Sequence, residues 1–200
     1  MNSLFFVLFA MGACSPTATP TREVTAPPSQ PTPAGKYHSL DARTGIEEID
    51  AVLAAVESDD PKELRDLFNY LTIACMTANA LGGPPPCREG EAEGTPVEVL
   101  PTLASEGSYL WKDEIGNWGG LDVTGLHAVF KVSETAYSDE YYPKGNYGVV
   151  LAGNENIPGI ILQIRDGSIV RIHYILDDLS SALPSILERD ASEMILAPLE

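Results

Sequence analysis

The chain has 200 residues, of which 44% are hydrophobic and 20% are charged, so it is long and apolar enough to bury the core of one domain. Disorder along the whole chain is thereby excluded. There are 12 Lys and Arg residues against 29 Asp and Glu residues. The resulting net charge of -17 opposes binding of a phosphate backbone, so no nucleic-acid partner is expected.

The chain begins with a short apolar segment that is typical of a secretory leader. Residues 4–11 read LFFVLFAM and are followed by Gly12, Ala13 and Cys14. This run is shorter than the roughly twenty apolar residues of a membrane-spanning helix and suits the apolar region of a signal peptide. The series from Met11 to Cys14 resembles the lipobox of bacterial lipoproteins, although the start MNS lacks the usual basic residue.

The lipobox resemblance implies that residues 1–13 are a signal peptide and that Cys14 becomes a lipid-modified first residue. The protein is then an extracytoplasmic lipoprotein, fastened to the cell membrane or envelope by the lipid on Cys14. An ordinary cleaved signal next to a free thiol at Cys14 is the alternative.

Residues 14–36 are predicted to form a tether. Between Ser15 and Lys36 there are six prolines and five threonines, with almost nothing to bury. This composition favours extended, polyproline-like backbone, which at about 3.1 Å per residue would hold a domain up to roughly 70 Å from the membrane. A ligand for a proline-binding domain and O-glycosylation of the threonines are the alternatives to a plain spacer.

Two helices are predicted after the tether. Thr44 and Glu47 match a capping box, and the apolar residues that follow recur at helical spacing. Asp60 and Pro61 match a second helix start, with an apolar stripe that continues to Leu71. We expect these two amphipathic helices to pack beside each other.

Cys75 and Cys87 bracket a stretch containing LGGPPP, in which a helix cannot continue. Because Cys14 is assigned to lipid and an exported domain meets oxidising conditions, we predict a disulfide between the other two cysteines. Closing a ring of about thirteen residues would stabilise the fold by roughly 3 kcal/mol in the chain-entropy model. The spacing fits neither a C-x-x-C redox motif nor a zinc site.

From Val97 onward the hydrophobic pattern changes from helical to alternating, which predicts strands separated by turn residues. These strands cover residues 97–103, 108–112, 126–132, 147–151, 159–164 and 169–176. Asp166 and Gly167 join the last two as a tight hairpin. A short helix over 179–187 and a loosely held tail over 190–200 complete the chain.

Residues 37–200 are therefore predicted to form a single α+β domain. Its two N-terminal helices are expected to pack on a curved, mainly antiparallel sheet of five to six strands. Alternation assigns Leu126 to the same face as Ala128, and Ile169 to the face opposite Ile172. One face is apolar core. The second face combines aliphatic residues with polar ones and suits either a partly solvated surface or a pocket lining: His127, Gln163, Arg171 and His173.

The order of elements resembles the nuclear transport factor 2-like superfamily, with AVLAAVESDDPKELRDLF in the first two helices and DGSIVRIHYILDD in the closing hairpin. The resemblance covers about residues 46–178 and implies a cone-shaped cavity, used by some members for isomerase or dehydratase chemistry and by many others only for binding. The cysteine-bracketed insert departs from the family pattern. No catalytic residue of an enzymatic member can be matched onto this chain, so the resemblance implies a fold and no chemistry.

Several residues are candidates for lining a ligand pocket. His127 and His173 would form an acid and base pair if both faced one cavity, although no carboxylate is placed to orient either. Arg171 would clamp a ligand carboxylate, with a cross-strand ion pair as the alternative. Trp111 and Tyr141 lie near acidic residues and would stack against sugar rings or cationic ligands, with ordinary packing as the alternative.

The expected function is binding of a small molecule or an envelope glycan, or interaction with a protein, by a membrane-anchored lipoprotein. A cavity enzyme of isomerase, dehydratase or hydrolase type is the alternative. The acidic residues do not follow the spacing of a calcium loop, and the sequence has no P-loop, dinucleotide, serine-hydrolase or zinc-helix motif. No metal and no cofactor are therefore expected.

Overall fold

The computed structural model describes residues 36–78 and 82–199, and these form an α+β domain with a mainly antiparallel mixed sheet, as predicted. The leader, the site of lipid attachment at Cys14 and the tether up to residue 35 lie outside the described residues. The elements in chain order are α1 (Glu47–Glu57), α2 (Pro61–Asp66), β1 (Leu71–Ala74), β2 (Pro96–Leu103), β3 (Gly107–Trp111), a 3-10 turn (Ile115–Asn117), β4 (Gly125–Val132), β5 (Tyr147–Ala152), β6 (Gly159–Arg165), β7 (Ser168–Ile175), α3 (Leu179–Asp190) and β8 (Ala191–Leu196).

Helix α1 begins without the predicted capping box. Its N-cap residue is Ile46, whose side chain caps nothing. Thr44 instead donates through its amide and its hydroxyl to one carboxylate oxygen of Asp50, at 2.7 and 2.8 Å, while Gly45 donates to the other oxygen. Because Asp50 binds the whole preceding turn, Thr44 and Glu47 do not cap each other.

Helix α2 begins as predicted but ends early. Asp60 accepts a hydrogen bond of 2.8 Å from the backbone of Lys62, and Pro61 is the first helical residue. The helix ends at Asp66 because the residues that follow it pair with β7: the backbone of Ile169 donates to the carbonyl of Leu67 at 2.8 Å. Leu71, assigned by periodicity to the helix, begins β1 instead.

The sheet has eight strands, not the five to six predicted. Both β1 and β3 pair antiparallel with β2, and β2 runs parallel to β7 over two residue pairs. From β7 the sheet continues antiparallel through β6, β5 and β4 to β8. The predicted C-terminal tail was therefore wrong over 191–196, because those residues form an edge strand on β4.

Two bulges change the predicted faces of the strands. His127 is the extra residue between the pairs that Leu126 and Ala128 make with β5, so these two side chains pack in different cores. A register shift in the hairpin of β6 and β7 likewise brings Ile169 to the same core as Ile172, where strict alternation placed it opposite.

Both faces of the sheet are covered. Helix α1 packs Ile49, Val52 and Leu53 on one face, in the core that includes Leu162 and Ile172. On the other face, α3 packs Leu179, Leu183 and Ile186 in a second core with Phe130 and Ile161. The face for which the sequence allowed either a partly solvated surface or a pocket lining is therefore covered in large part by the C-terminal helix.

The predicted disulfide joins Cys75 and Cys87, with sulfur atoms 1.99 Å apart and Cα atoms 4.8 Å apart. Cys75 is fully buried and packs with Val97 and Val99 in a third, smaller core. The insert is thereby fastened to β2. Among the residues that the structure describes, no helix has the length and apolar character needed to cross a membrane.

Candidate functional site

The hairpin of β6 and β7 brings three of the predicted site residues to one face of the sheet. Gln163 and Arg171 are direct cross-strand partners, and His173 pairs with Ile161. Because side chains alternate along a strand, all three lie on the face that α3 covers. These three polar side chains thus share one face, and the loop and helix that pack over them determine which interactions each can make.

Arg171 is only 4% exposed and holds the loop between β4 and β5. Its Nη1 donates to the carbonyl of Tyr142 at 2.8 Å and to the carbonyl of Tyr137 at 3.3 Å, while its Nε is buried without a partner. Burial lowers the pKa of Arg171 from its ordinary value. Among the described residues no carboxylate forms a salt bridge with it, so the cross-strand ion pair is absent.

Gln163 holds the other end of the same loop. Its Oε1 accepts a hydrogen bond of 2.9 Å from the backbone of Gly145. A side chain at Gly145 would meet the backbone nitrogen of Ile164 at 2.5 Å, so the loop lies directly on β6. Gln163 is 3% exposed, and this contact accounts for its buried position.

His173 lines a groove with a cavity volume of about 560 Å³ between the end of β7 and α3. The imidazole makes no hydrogen bond within the part of the chain that the structure describes. Burial, together with the positive charges of Arg171 and Arg189, lowers the pKa of His173 to about 4. The ring is therefore neutral near pH 7 and offers one donor and one acceptor nitrogen.

The remaining walls of this groove are partly apolar and partly polar. Ile175, Ala182 and Ile186 contribute apolar surface, and Leu176 is 51% exposed beside them. The other polar side chains of the lining are Ser105, Tyr174, Asp177, Ser185 and Arg189.

The charge of Arg189 is already balanced by its neighbour. Its Nε and Nη2 donate to the two carboxylate oxygens of Asp190 at 2.8 and 2.7 Å. Asp190 is 7% exposed, so the pair is seated at the edge of the second core. The groove therefore presents a neutral imidazole and apolar surface rather than a free cationic cluster.

Sequence reasoning missed the helical wall of this groove. Ala182, Ser185, Ile186 and Arg189 line it at the spacing i, i+3, i+4 and i+7 of one helix face. That spacing is visible in the sequence. This helix face lies opposite His173 only because α3 folds back over the sheet, and a local sequence pattern does not predict that arrangement.

His127 does not line the groove. It is 8% exposed and packs edge to face on Tyr37, with ring centroids 5.3 Å apart. Its Nδ1 is buried without a hydrogen-bond partner, and burial, with the nearby Lys36 and His38, lowers the pKa of His127. The two histidines proposed as an acid and base pair therefore lie in different places.

Trp111 and Tyr141 also lie away from the groove. Trp111 is on β3, and the guanidinium carbon of Arg88 lies 3.8 Å from the centre of its ring. Tyr141 belongs to the loop held by Arg171, where its backbone donates to the carboxylate of Asp139 at 2.9 Å. Among the described residues, no group of three or more His, Cys, Asp and Glu side chains is arranged to hold a metal ion.

No protein-family model, no curated protein and no solved structure matches this chain. The site must therefore be interpreted from its own geometry.

Proposed function

We propose that this chain is an exported, lipid-anchored binding module that takes a small molecule in the groove between β7 and α3. The observation that carries the proposal is the groove itself, whose volume of about 560 Å³ is in the range of small-molecule sites and whose wall contains a histidine with unused hydrogen-bonding capacity. The perturbed pKa of His173 adds to it, because such groups concentrate at functional sites.

The chemistry of the groove defines the ligand class. Ile175, Ala182 and Ile186 favour an apolar body, and the neutral ring of His173 favours a hydroxyl or carbonyl group that exchanges a hydrogen bond with it. A charged ligand would gain little binding free energy here, because the charge of Arg189 is already balanced by Asp190 and the remaining charged group is Asp177. The ligand is therefore a small, uncharged, amphipathic molecule.

The anchoring part of the proposal rests on the sequence of residues 1–36. The apolar leader and the series ending at Cys14 support cleavage and lipid attachment, and the proline-rich tether would hold the domain clear of the surface. The disulfide between Cys75 and Cys87 is consistent with an oxidising compartment. Membership of the nuclear transport factor 2-like superfamily is a further proposal, supported by the order of the two helices and the closing hairpin.

The ligand proposal is tested by nuclear magnetic resonance with small uncharged probes: cyclohexanol, cyclohexanone and phenol. The full chain carrying Cys14→Ala is used so that no lipid competes for the probes. We expect saturable shifts at His173 and Ile186. Ala182→Trp fills the groove and should abolish them, whereas Ala54→Trp, at an exposed alanine of α1, should not.

Two results would contradict the ligand proposal. One is the absence of any saturable shift at His173 with all three probes. The other is an identical response in the Ala182→Trp chain, which would mean that the probes bind elsewhere.

The enzyme alternative is the weaker proposal. Among the described residues, neither His127 nor His173 accepts or donates a hydrogen bond to a carboxylate or a tyrosine hydroxyl, so nothing orients a ring for proton transfer. His127 is outside the groove, and the low pKa of His173 makes it a poor general base near neutral pH.

A further inference from the structure

Both tryptophans of the chain line a second cleft, at the β3 edge of the sheet. The cleft lies between β3 and the 3-10 turn and has a volume of about 290 Å³. Its aromatic lining consists of Tyr109 and Trp111, which pack against the third core, and Trp118, which packs against the first. No residue of this cleft lines the groove of His173, so the two are separate sites.

Neighbouring side chains pack against both tryptophan rings of the cleft. Trp118 packs edge to face on Phe68, with centroids 5.2 Å apart, and Arg88 covers one side of the Trp111 ring at 3.8 Å. Each indole is nevertheless only half-buried, and both contribute to the lining of the cleft. Rigid aromatic surface of this kind binds a ligand with little loss of side-chain entropy.

The rim of the cleft carries polar groups suited to hydroxyls. The side-chain amide of Asn117 makes no hydrogen bond within the residues described by the structure, and the residue is exposed. This side chain therefore offers both donors and an acceptor to a ligand. Glu114, whose side chain is 64% exposed, forms an ion pair with Arg88 at 3.0 Å, and its carboxylate oxygens can still accept hydrogen bonds from a ligand.

A second concavity, with a volume of about 440 Å³, shares Trp111 with the cleft. Three acidic side chains and two basic ones contribute to its lining: Glu91, Glu98, Asp113, Arg88 and Lys112. Arg88 is itself held by Asp113 through two hydrogen bonds of 2.6 and 2.8 Å. In a chain of net charge -17, this balance disfavours an anionic ligand.

We infer that the Trp111–Trp118 cleft binds a neutral saccharide. A pyranose ring has an apolar face of C–H groups and a rim of hydroxyls, which match the indole surface and the polar pair of Glu114 and Asn117 respectively. Because the second concavity shares Trp111 with the cleft, the inferred ligand is a short oligosaccharide that contacts both, rather than a single ring.

The test uses the full chain carrying Cys14→Ala, prepared with its disulfide intact and without detergent. The two tryptophans are intrinsic reporters, because both line the cleft. Chitotetraose, cellotetraose and maltotetraose are titrated by tryptophan fluorescence and by calorimetry, with tetragalacturonate as the anionic comparison. We expect saturable binding of at least one neutral tetrasaccharide and weaker or no binding of tetragalacturonate.

Asn117→Ala should weaken that binding about five-fold, the loss expected for one hydrogen bond, and leave the far-ultraviolet circular dichroism unchanged. Asn156→Ala, an exposed asparagine in another loop, should leave the affinity unchanged. Absence of binding in both assays for all three neutral sugars would overturn the inference. So would equal binding of tetragalacturonate, or an affinity that Asn117→Ala does not alter.

Discussion

Arg171 and His173 are two positions apart on β7, yet their surroundings give them different roles. Alternation along the strand predicted that both share a polar face with Gln163. It did not predict what covers that face, because the covering loop and α3 come from other parts of the chain. Arg171 consequently holds backbone carbonyls of the loop, whereas His173 alone of the three borders the groove.

The neutral state of native His173 predicts a specific dependence of stability on pH. In the unfolded chain the imidazole has a pKa near 6.5, and in the folded chain it is lowered to about 4. Stability is therefore complete above about pH 6.5 and falls as the pH drops toward 4, because the unfolded state binds the extra proton. The loss attributable to His173 is at most about 3 kcal/mol.

Urea unfolding of the native chain and of His173→Phe between pH 4 and 8 measures this contribution. We expect the substituted chain to lose less stability on acidification. Two curves that fall in parallel would show that His173 titrates normally in the folded protein.

The buried guanidinium of Arg171 predicts a second effect at the residue scale. Arg171→Met should lower the free energy of unfolding by about 1 to 3 kcal/mol, because the carbonyl groups of Tyr142 and Tyr137 lose their donor. The loop between β4 and β5 should become more sensitive to limited proteolysis. Arg43→Met is the matched control, since that exposed ion pair with Glu57 contributes little, and an equal effect of both substitutions would refute the role of Arg171.

The predicted strands over 97–176 occur close to their expected positions, whereas the two bulges and the outer strand β8 were not predicted. A bulge is a matter of pairing between two strands, so the alternation within one strand does not reveal it. Strand β8 reads ASEMIL directly after a helix, and its pairing partner β4 lies far away in the sequence. The hairpin at Asp166 and Gly167 was predictable because its turn chemistry is local.

That hairpin supplies the prediction at the element scale. Gly167 has φ +73°, in the left-handed region, and no atom lies closer than 3.8 Å to the position of an added Cβ. Gly167→Ala should therefore destabilise the domain by about 1 kcal/mol through backbone strain alone. Gly119→Ala, at a glycine with open space and without such a φ, should have almost no effect in thermal unfolding. Equal midpoints of thermal unfolding for the two variants would contradict the left-handed backbone conformation at Gly167.

At the scale of the whole molecule, the sequence predicted the covalent link between Cys75 and Cys87. Counting cysteines predicted it, because the resemblance to a lipobox assigned Cys14 to lipid and only two cysteines remained. Counting cysteines predicted neither site, because the groove depends on how α3 folds back against β7 and the aromatic cleft on how the turn after β3 packs against that strand.

The disulfide predicts a measurable share of global stability. Replacing both Cys75 and Cys87 with alanine should lower the free energy of unfolding by about 3 kcal/mol in urea denaturation, mainly by releasing a constraint on the unfolded chain. Reductant should destabilise the native chain by a similar amount and leave the doubly substituted chain unaffected. A native chain that is indifferent to reductant would count against the predicted stabilisation.

The proposed export and lipid anchoring of the domain are tested most directly by intact-mass analysis of the protein from membrane and soluble cell fractions. We predict a membrane-bound chain that begins at Cys14, lacks residues 1–13 and carries the added mass of fatty acyl chains, which Cys14→Ala abolishes. Recovery of the unmodified chain at its full 21.5 kDa, leader included, from the soluble cell interior would contradict the account.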